Sequence, residues 1–133
     1  MTTTAGRSRS RRTFTAITAV LVGLVATGAV LVAQNRRSFE VTGRKYAFKV
    51  GSGGAEIRVF QNDLVHVTFS TEDIAHSFTI IDEPYRIMRR AEPGKPVSFD
   101  FRADRAGTFR FYCSLTIDDG CKNMHGSLVV EAK

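Results

Sequence analysis

Short runs in which apolar and polar residues alternate fill the chain after residue 38. Glu56-Ile-Arg-Val-Phe60 alternates, and Leu64-Val-His-Val-Thr-Phe-Ser70 puts Val65, Val67 and Phe69 on one face. Val97-Ser-Phe-Asp-Phe-Arg102 separates Val97, Phe99 and Phe101 from Ser98, Asp100 and Arg102. Thr108-Phe-Arg-Phe-Tyr112 aligns Phe109 with Phe111, and Gly126-Ser-Leu-Val-Val-Glu131 is the last such run. A period of two over stretches this short predicts half-buried strands. Gly51-Ser-Gly-Gly54, Gln61-Asn-Asp63, Glu92-Pro-Gly94 and Asp118-Asp-Gly120 punctuate them as turns. No segment after residue 38 carries a sustained helical stripe. The expectation is an all-β antiparallel sandwich. Eight of the ten phenylalanines fall between Phe48 and Phe111, enough for a core between two sheets.

The first 37 residues follow a different pattern. Thr13 to Asn35 is an uncharged stretch of 23 residues rich in Ala, Val, Leu and Thr. A helix of that length crosses a hydrocarbon layer of ~30 Å. Four arginines between Arg7 and Arg12 precede it, which predicts a cytoplasmic N-terminus and an exported C-terminal domain. Ser10-Arg-Arg-Thr-Phe14 resembles a twin-arginine export signal. Thr27-Gly-Ala29 is a candidate cleavage triplet, and Arg36 and Arg37 stand at the far end like an interfacial stop. The expected organisation is therefore a signal or membrane-anchoring helix over 1–37 and a β-domain over 38–133. The domain then sits outside the cytoplasm, either tethered to the cell membrane or, after cleavage, secreted or periplasmic.

Charge supports that division. The net charge is +6, and residues 1–37 hold six arginines and no acid. Residues 38–133 hold thirteen basic and thirteen acidic side chains. A nucleic-acid-binding domain needs a basic excess on its folded face, and this domain has none. Ser114 and Ser127 lack a base at any recognisable spacing, and no glycine-rich loop leads into a helix, so no enzyme with its own small-molecule substrate is expected.

Chemistry is concentrated near the end of the chain. Cys113, Cys121 and Met124 lie within twelve residues, after the run that ends at Tyr112, and His76 sits upstream in Asp73-Ile-Ala-His76-Ser-Phe. Two thiols, a thioether and an imidazole suit Cu(I) or Zn, and a His/Cys set with a weak axial Met suits copper electron transfer. Two cysteines in an exported domain also commonly pair, and a disulfide across this loop is the alternative. His66 lies on the polar face of its strand and reads as surface. Arg86-Ile-Met-Arg-Arg90 reads as a basic loop, with Met88 in packing and the charge able to steer an acidic partner.

These residues carry a family resemblance. Ala-His76-Ser-Phe, Pro-Gly-Lys-Pro, Ala-Gly-Thr-Phe-x-Phe-Tyr-Cys113-Ser and Met124-x-Gly-x-Leu-Val-Val, in that order, resemble the cupredoxins, and within them the copper-bearing domain of cytochrome c oxidase subunit II. The resemblance spans 38–133 and implies a Greek-key β-sandwich. It places Cys113 at the family's first cysteine, Cys121 at its histidine, Met124 at its methionine and His76 at its early histidine. The family's second cysteine falls on Ile117. The implied ligand set is His76, Cys113, Cys121 and Met124 around one copper, with His125 as an alternative ligand. A binuclear centre lacks its second thiolate place, and a mononuclear blue site lacks its second imidazole.

Three functions follow as expectations. One is a membrane-tethered copper protein carrying electrons to a redox partner or to heme-copper oxidase subunits. Another is a Cu(I) carrier or metallation factor, because two thiolates favour the softer ion. The third is a metal-free structural subunit with Cys113 bonded to Cys121.

Overall fold

The computed structural model describes residues 34–133 and, of the segment before them, Thr2 and Gly28. The predicted helix over 13–35, the twin-arginine-like Ser10–Phe14 and the triplet Thr27–Ala29 lie essentially outside the described residues. Among the described residues, no helix is long and apolar enough to cross a membrane.

Nine strands and one short 3₁₀ turn account for the domain. β1 (Arg36–Arg44) and β2 (Ala47–Val50) form a hairpin, followed by β3 (Glu56–Phe60) and β4 (Leu64–Thr71). β5 (His76–Ile80), β6 (Ile87–Ala91), β7 (Val97–Arg102) and β8 (Gly107–Tyr112) come next. The 3₁₀ turn Cys121–Asn123 then leads into β9 (His125–Glu131). One sheet has the order β2-β1-β4-β7 and the other β3-β9-β8-β5-β6.

All five predicted strands form, within a residue or so of their expected ends. Alternation drives the packing: Val65, Val67 and Phe69 of β4 face Phe109 and Phe111 of β8 and Leu128 and Val130 of β9 across the core, and all seven are buried. Phe78 stacks on Phe111 at 4.7 Å between ring centroids, with Phe99 at 5.3 Å, and Phe48 meets Phe111 edge-on at 5.2 Å. At the far side Tyr85 packs edge-on to Phe109 at 4.8 Å, and its hydroxyl donates to the Arg105 carbonyl at 2.7 Å.

Two expectations are corrected. The sandwich is mixed rather than antiparallel: β1 runs parallel to β4, and β3 runs parallel to β9. Hairpin-length turns cannot make these pairs, so local turn signals carry no trace of them. The basic stretch Arg86–Arg90 is no loop either. Ile87 and Ala91 are buried at the two ends of edge strand β6, with Met88, Arg89 and Arg90 exposed between them. Charge on an edge strand discourages pairing with another chain.

β5 escaped the alternation rule because every one of its five residues is buried. Phe78 and Ile80 face the core, and His76 lies on the same side. On the other face Ser77, Thr79 and Ser114 satisfy one another, with hydroxyl oxygens 2.9–3.1 Å apart. Gly126, the second residue of β9, pairs with Phe111 of β8. A Cβ there would run into the Phe111 ring and the Ala55 carbonyl, so no larger residue fits without movement.

Candidate metal centre

The candidate residues lie at strand ends or in the loop between β8 and β9. His76 is the first residue of β5, Cys113 follows β8, Cys121 starts the 3₁₀ turn, and Met124 caps it. Asp118 organises the loop between them. Its Oδ1 accepts the backbone N–H groups of Gly120 and Cys121, both at 3.1 Å, which is the local capping that Asp provides at turns. The N–H of Met124 donates to the Cys121 carbonyl at 3.0 Å, and that of Cys113 donates to the Met124 carbonyl at 3.2 Å. The second bond closes the loop at its base.

This folding brings three of the predicted donors together. One donor atom from each of His76, Cys113 and Cys121 falls within a 4.8 Å cluster, and all three residues are buried. Nδ1 of His76 faces Sγ of Cys121 at 3.7 Å. The Ser77 backbone N–H points to Sγ of Cys113 at 3.5 Å. The two sulfurs are joined as a disulfide, with Cα atoms 5.3 Å apart, inside the usual span for such a bridge. Met124 is fully buried on the same loop. His125 stands apart: it is exposed, and its Nδ1 lies 3.0 Å from the Asn123 carbonyl. His66 is also elsewhere, paired through Nδ1 with Oδ1 of Asp100 at 2.7 Å across β4 and β7.

The orientation of His76 rests on Asp73, which carries no ligand role in the sequence pattern. Oδ1 of Asp73 lies 2.8 Å from Nε2 of the imidazole. The same carboxylate accepts the N–H of Ile74 at 2.7 Å and, through Oδ2, the N–H of Lys45 at 2.7 Å. Burial pushes this carboxyl up, but the bonds from Lys45 and Ile74 and the bond and charge of His76 outweigh it and hold its pKa at about 2. An ionised carboxylate only accepts, so Nε2 carries a proton; in the neutral ring Nδ1 then presents its lone pair toward the sulfurs. A carboxylate behind a histidine is the usual device for aiming an imidazole at a metal. Gly43 of β1 completes the setting. A Cβ there would come within 3.2 Å of the imidazole Cδ2, so the β1 backbone packs directly on the ring. The sequence signals for both were an Asp three residues before the histidine and a glycine inside a strand; neither is specific alone.

No family model matches the sequence. Solved structures match its fold. A chain of a heme-copper terminal oxidase dimer aligns with a TM-score of 0.64 at 22% identity, covering 77% of this chain and 68% of its own. Auracyanin A, a blue copper protein of the green thermophilic photosynthetic bacterium Chloroflexus aurantiacus, aligns at 0.57 and 17% identity, covering 73% of this chain and all of its own. The mixed disulfide complex between a thioredoxin-like protein and subunit II of cytochrome c oxidase aligns at 0.57 and 18% identity, covering 72% and 82%. The fold is that of the cupredoxins. The resemblance read from the sequence motifs thus holds at the level of the fold.

Against the cupredoxin pattern the two departures have different structural fates. Ile117, in the place of the second family cysteine, is 52% exposed and outside the cluster. Cys121, in the place of the family histidine, is buried within it. In dithiol form the donors fit a soft ion: two sulfurs and an imidazole nitrogen. In disulfide form the sulfurs offer no thiolate, and thiolate is the form that binds metal.

Proposed function

We propose that residues 38–133 form an extracytoplasmic copper-binding electron carrier. The observation that carries this reading is the convergence of His76 Nδ1 with the sulfurs of Cys113 and Cys121 in one buried cluster, backed by Asp73. His76, Cys113 and Cys121 would hold one copper, with Met124 as a fourth, weaker donor. Copper bound there would supply a one-electron couple. The chain contributes a rigid two-sheet frame that limits ligand movement and an imidazole oriented by Asp73. The arginine-flanked apolar run before the domain supports a membrane tether, and the likeness to an oxidase chain supports a respiratory partner.

A second reading is favoured by the bond between Cys113 and Cys121. In it the domain is metal-free, and the bridge is structural. One experiment separates the two. The domain is reduced, loaded with copper and oxidised, and then its copper content and visible spectrum are measured. The electron-carrier reading expects about one copper per chain and an intense thiolate-to-copper absorption, lost in His76→Ala and Cys113→Ser. A colourless protein without stoichiometric copper, whose thiols re-form the bridge on oxidation, supports the structural reading instead.

A further inference from the structure

The loop between β8 and β9 is held from outside by a residue of the opposite sheet. Tyr46 sits in the turn between β1 and β2, and its ring lies directly over Gly120, where a Cβ would collide with it. Its hydroxyl donates to Oδ2 of Asp118 at 3.2 Å. The other oxygen of Asp118 holds the N–H groups of Gly120 and Cys121. The turn that bears Tyr46 is itself fixed by the Lys45 N–H on Asp73, the carboxylate that holds His76. A chain of contacts therefore runs from His76 through Asp73, the Lys45–Tyr46 turn and Asp118 to Cys121. Desolvation against the loop, then the Asp118 carboxylate, raise the Tyr46 phenol above its ordinary range, so it remains a donor through neutral pH.

We propose that Tyr46 is a clasp on this loop, and that its opening sets how fast the Cys113–Cys121 bond exchanges with an external dithiol. Both cysteines are at most 1% exposed, so no thiolate reaches either sulfur while the loop is shut. A cleft beside the loop is lined by Tyr112, Cys113, Ser114 and Lys122 and offers an approach once it lifts. In the exchange, a thiolate of the dithiol bonds to one sulfur as the Cys113–Cys121 bond breaks. The second thiolate then bonds to the dithiol's own first sulfur as the mixed disulfide breaks and the cysteine thiolate leaves. Two electrons and two protons pass to the cysteines, and the dithiol leaves oxidised. This inference does not need bound copper, so its failure would leave the electron-carrier reading untouched.

The test uses native, copper-free protein and dithiothreitol, with freed thiols trapped by iodoacetamide and counted by mass spectrometry. Tyr46→Ala is expected to be reduced about tenfold faster than wild type, the effect of a clasp worth about 1.4 kcal/mol. Tyr46→Phe, which keeps the ring over Gly120, should fall between them. Gly120 has φ −75°, which suits any L-residue. Gly120→Ala should therefore evict the ring without straining the backbone and match Tyr46→Ala, and the double variant should add little to either. Val59→Ala, in the core near the other end of the sandwich, serves as a control for global destabilisation. Rates for Tyr46→Ala and Gly120→Ala within twofold of wild type would overturn the proposal. So would equal acceleration in a Val59→Ala protein of matched stability, because reduction would then proceed through global unfolding.

Discussion

Asp73 has the strongest claim among single residues, because one carboxylate serves three donors from two segments. Its pKa lies at about 2, below the ordinary 3.8. A carboxyl depressed by folding stabilises the native state above its unfolded pKa, and that contribution is lost as pH falls through the folded value. Copper-free wild type should therefore be more stable than Asp73→Asn at pH 6, and the gap should close between about pH 4 and pH 2. Denaturant midpoints measured across that window check this; a gap that stays constant would show that the carboxylate's ionisation is not what matters. Asp73 was present in the sequence motif around His76, but its role needed the third dimension. Nothing in the spacing shows which of several acids meets a ring nitrogen. Ile117 was the reverse case: the family pattern singled it out as a missing ligand, and the structure turns it to solvent.

Among elements, β3, β4, β7, β8 and β9 were legible from their alternation, and β1, β2, β5 and β6 were not. β4, β7 and β8 alternate because one side of each meets water. β5 does not alternate, because Ser77 and Thr79 are buried beneath a neighbouring hydroxyl instead of exposed. β6 reads as a solvated loop because Met88, Arg89 and Arg90, between its two buried ends, all face solvent. The ligand loop was the most legible irregular element, since its chemistry is written in residue types rather than in periodicity. Its two states have different consequences for stability. Closing a loop of eight residues by the Cys113–Cys121 bond stabilises by roughly 2–3 kcal/mol in the chain-entropy account. Urea unfolding with and without a reductant, in the absence of metal, should show that difference as a lower midpoint in the reduced form. An unchanged midpoint would mean that the loop is equally constrained without its bridge.

Within the described domain, the aromatic column at the centre ties the two sheets together beneath the cluster of His76, Cys113 and Cys121. Phe78 lies two residues after His76 on the same side of β5 and touches Phe69, Phe99 and Phe111. Phe78→Ala should cost about 3–5 kcal/mol, as truncation of a buried phenylalanine does. Thermal or denaturant unfolding gives the value, and a loss under 1 kcal/mol would mean that the core closes over the gap. The sandwich itself could be read from the sequence because it depends on alternation and aromatic content. The pairing order could not, because the parallel pairs join segments far apart in the chain. That distance governs the time course of folding. Arg58 of β3 meets Glu131 of β9, 73 residues later, so the second sheet has no stable centre until β9 arrives. Topologies dominated by such remote contacts fold in milliseconds to seconds rather than microseconds. The cysteine loop immediately precedes β9, so it is among the last parts of the chain to settle. During that interval both thiols meet whatever oxidant or metal the compartment holds.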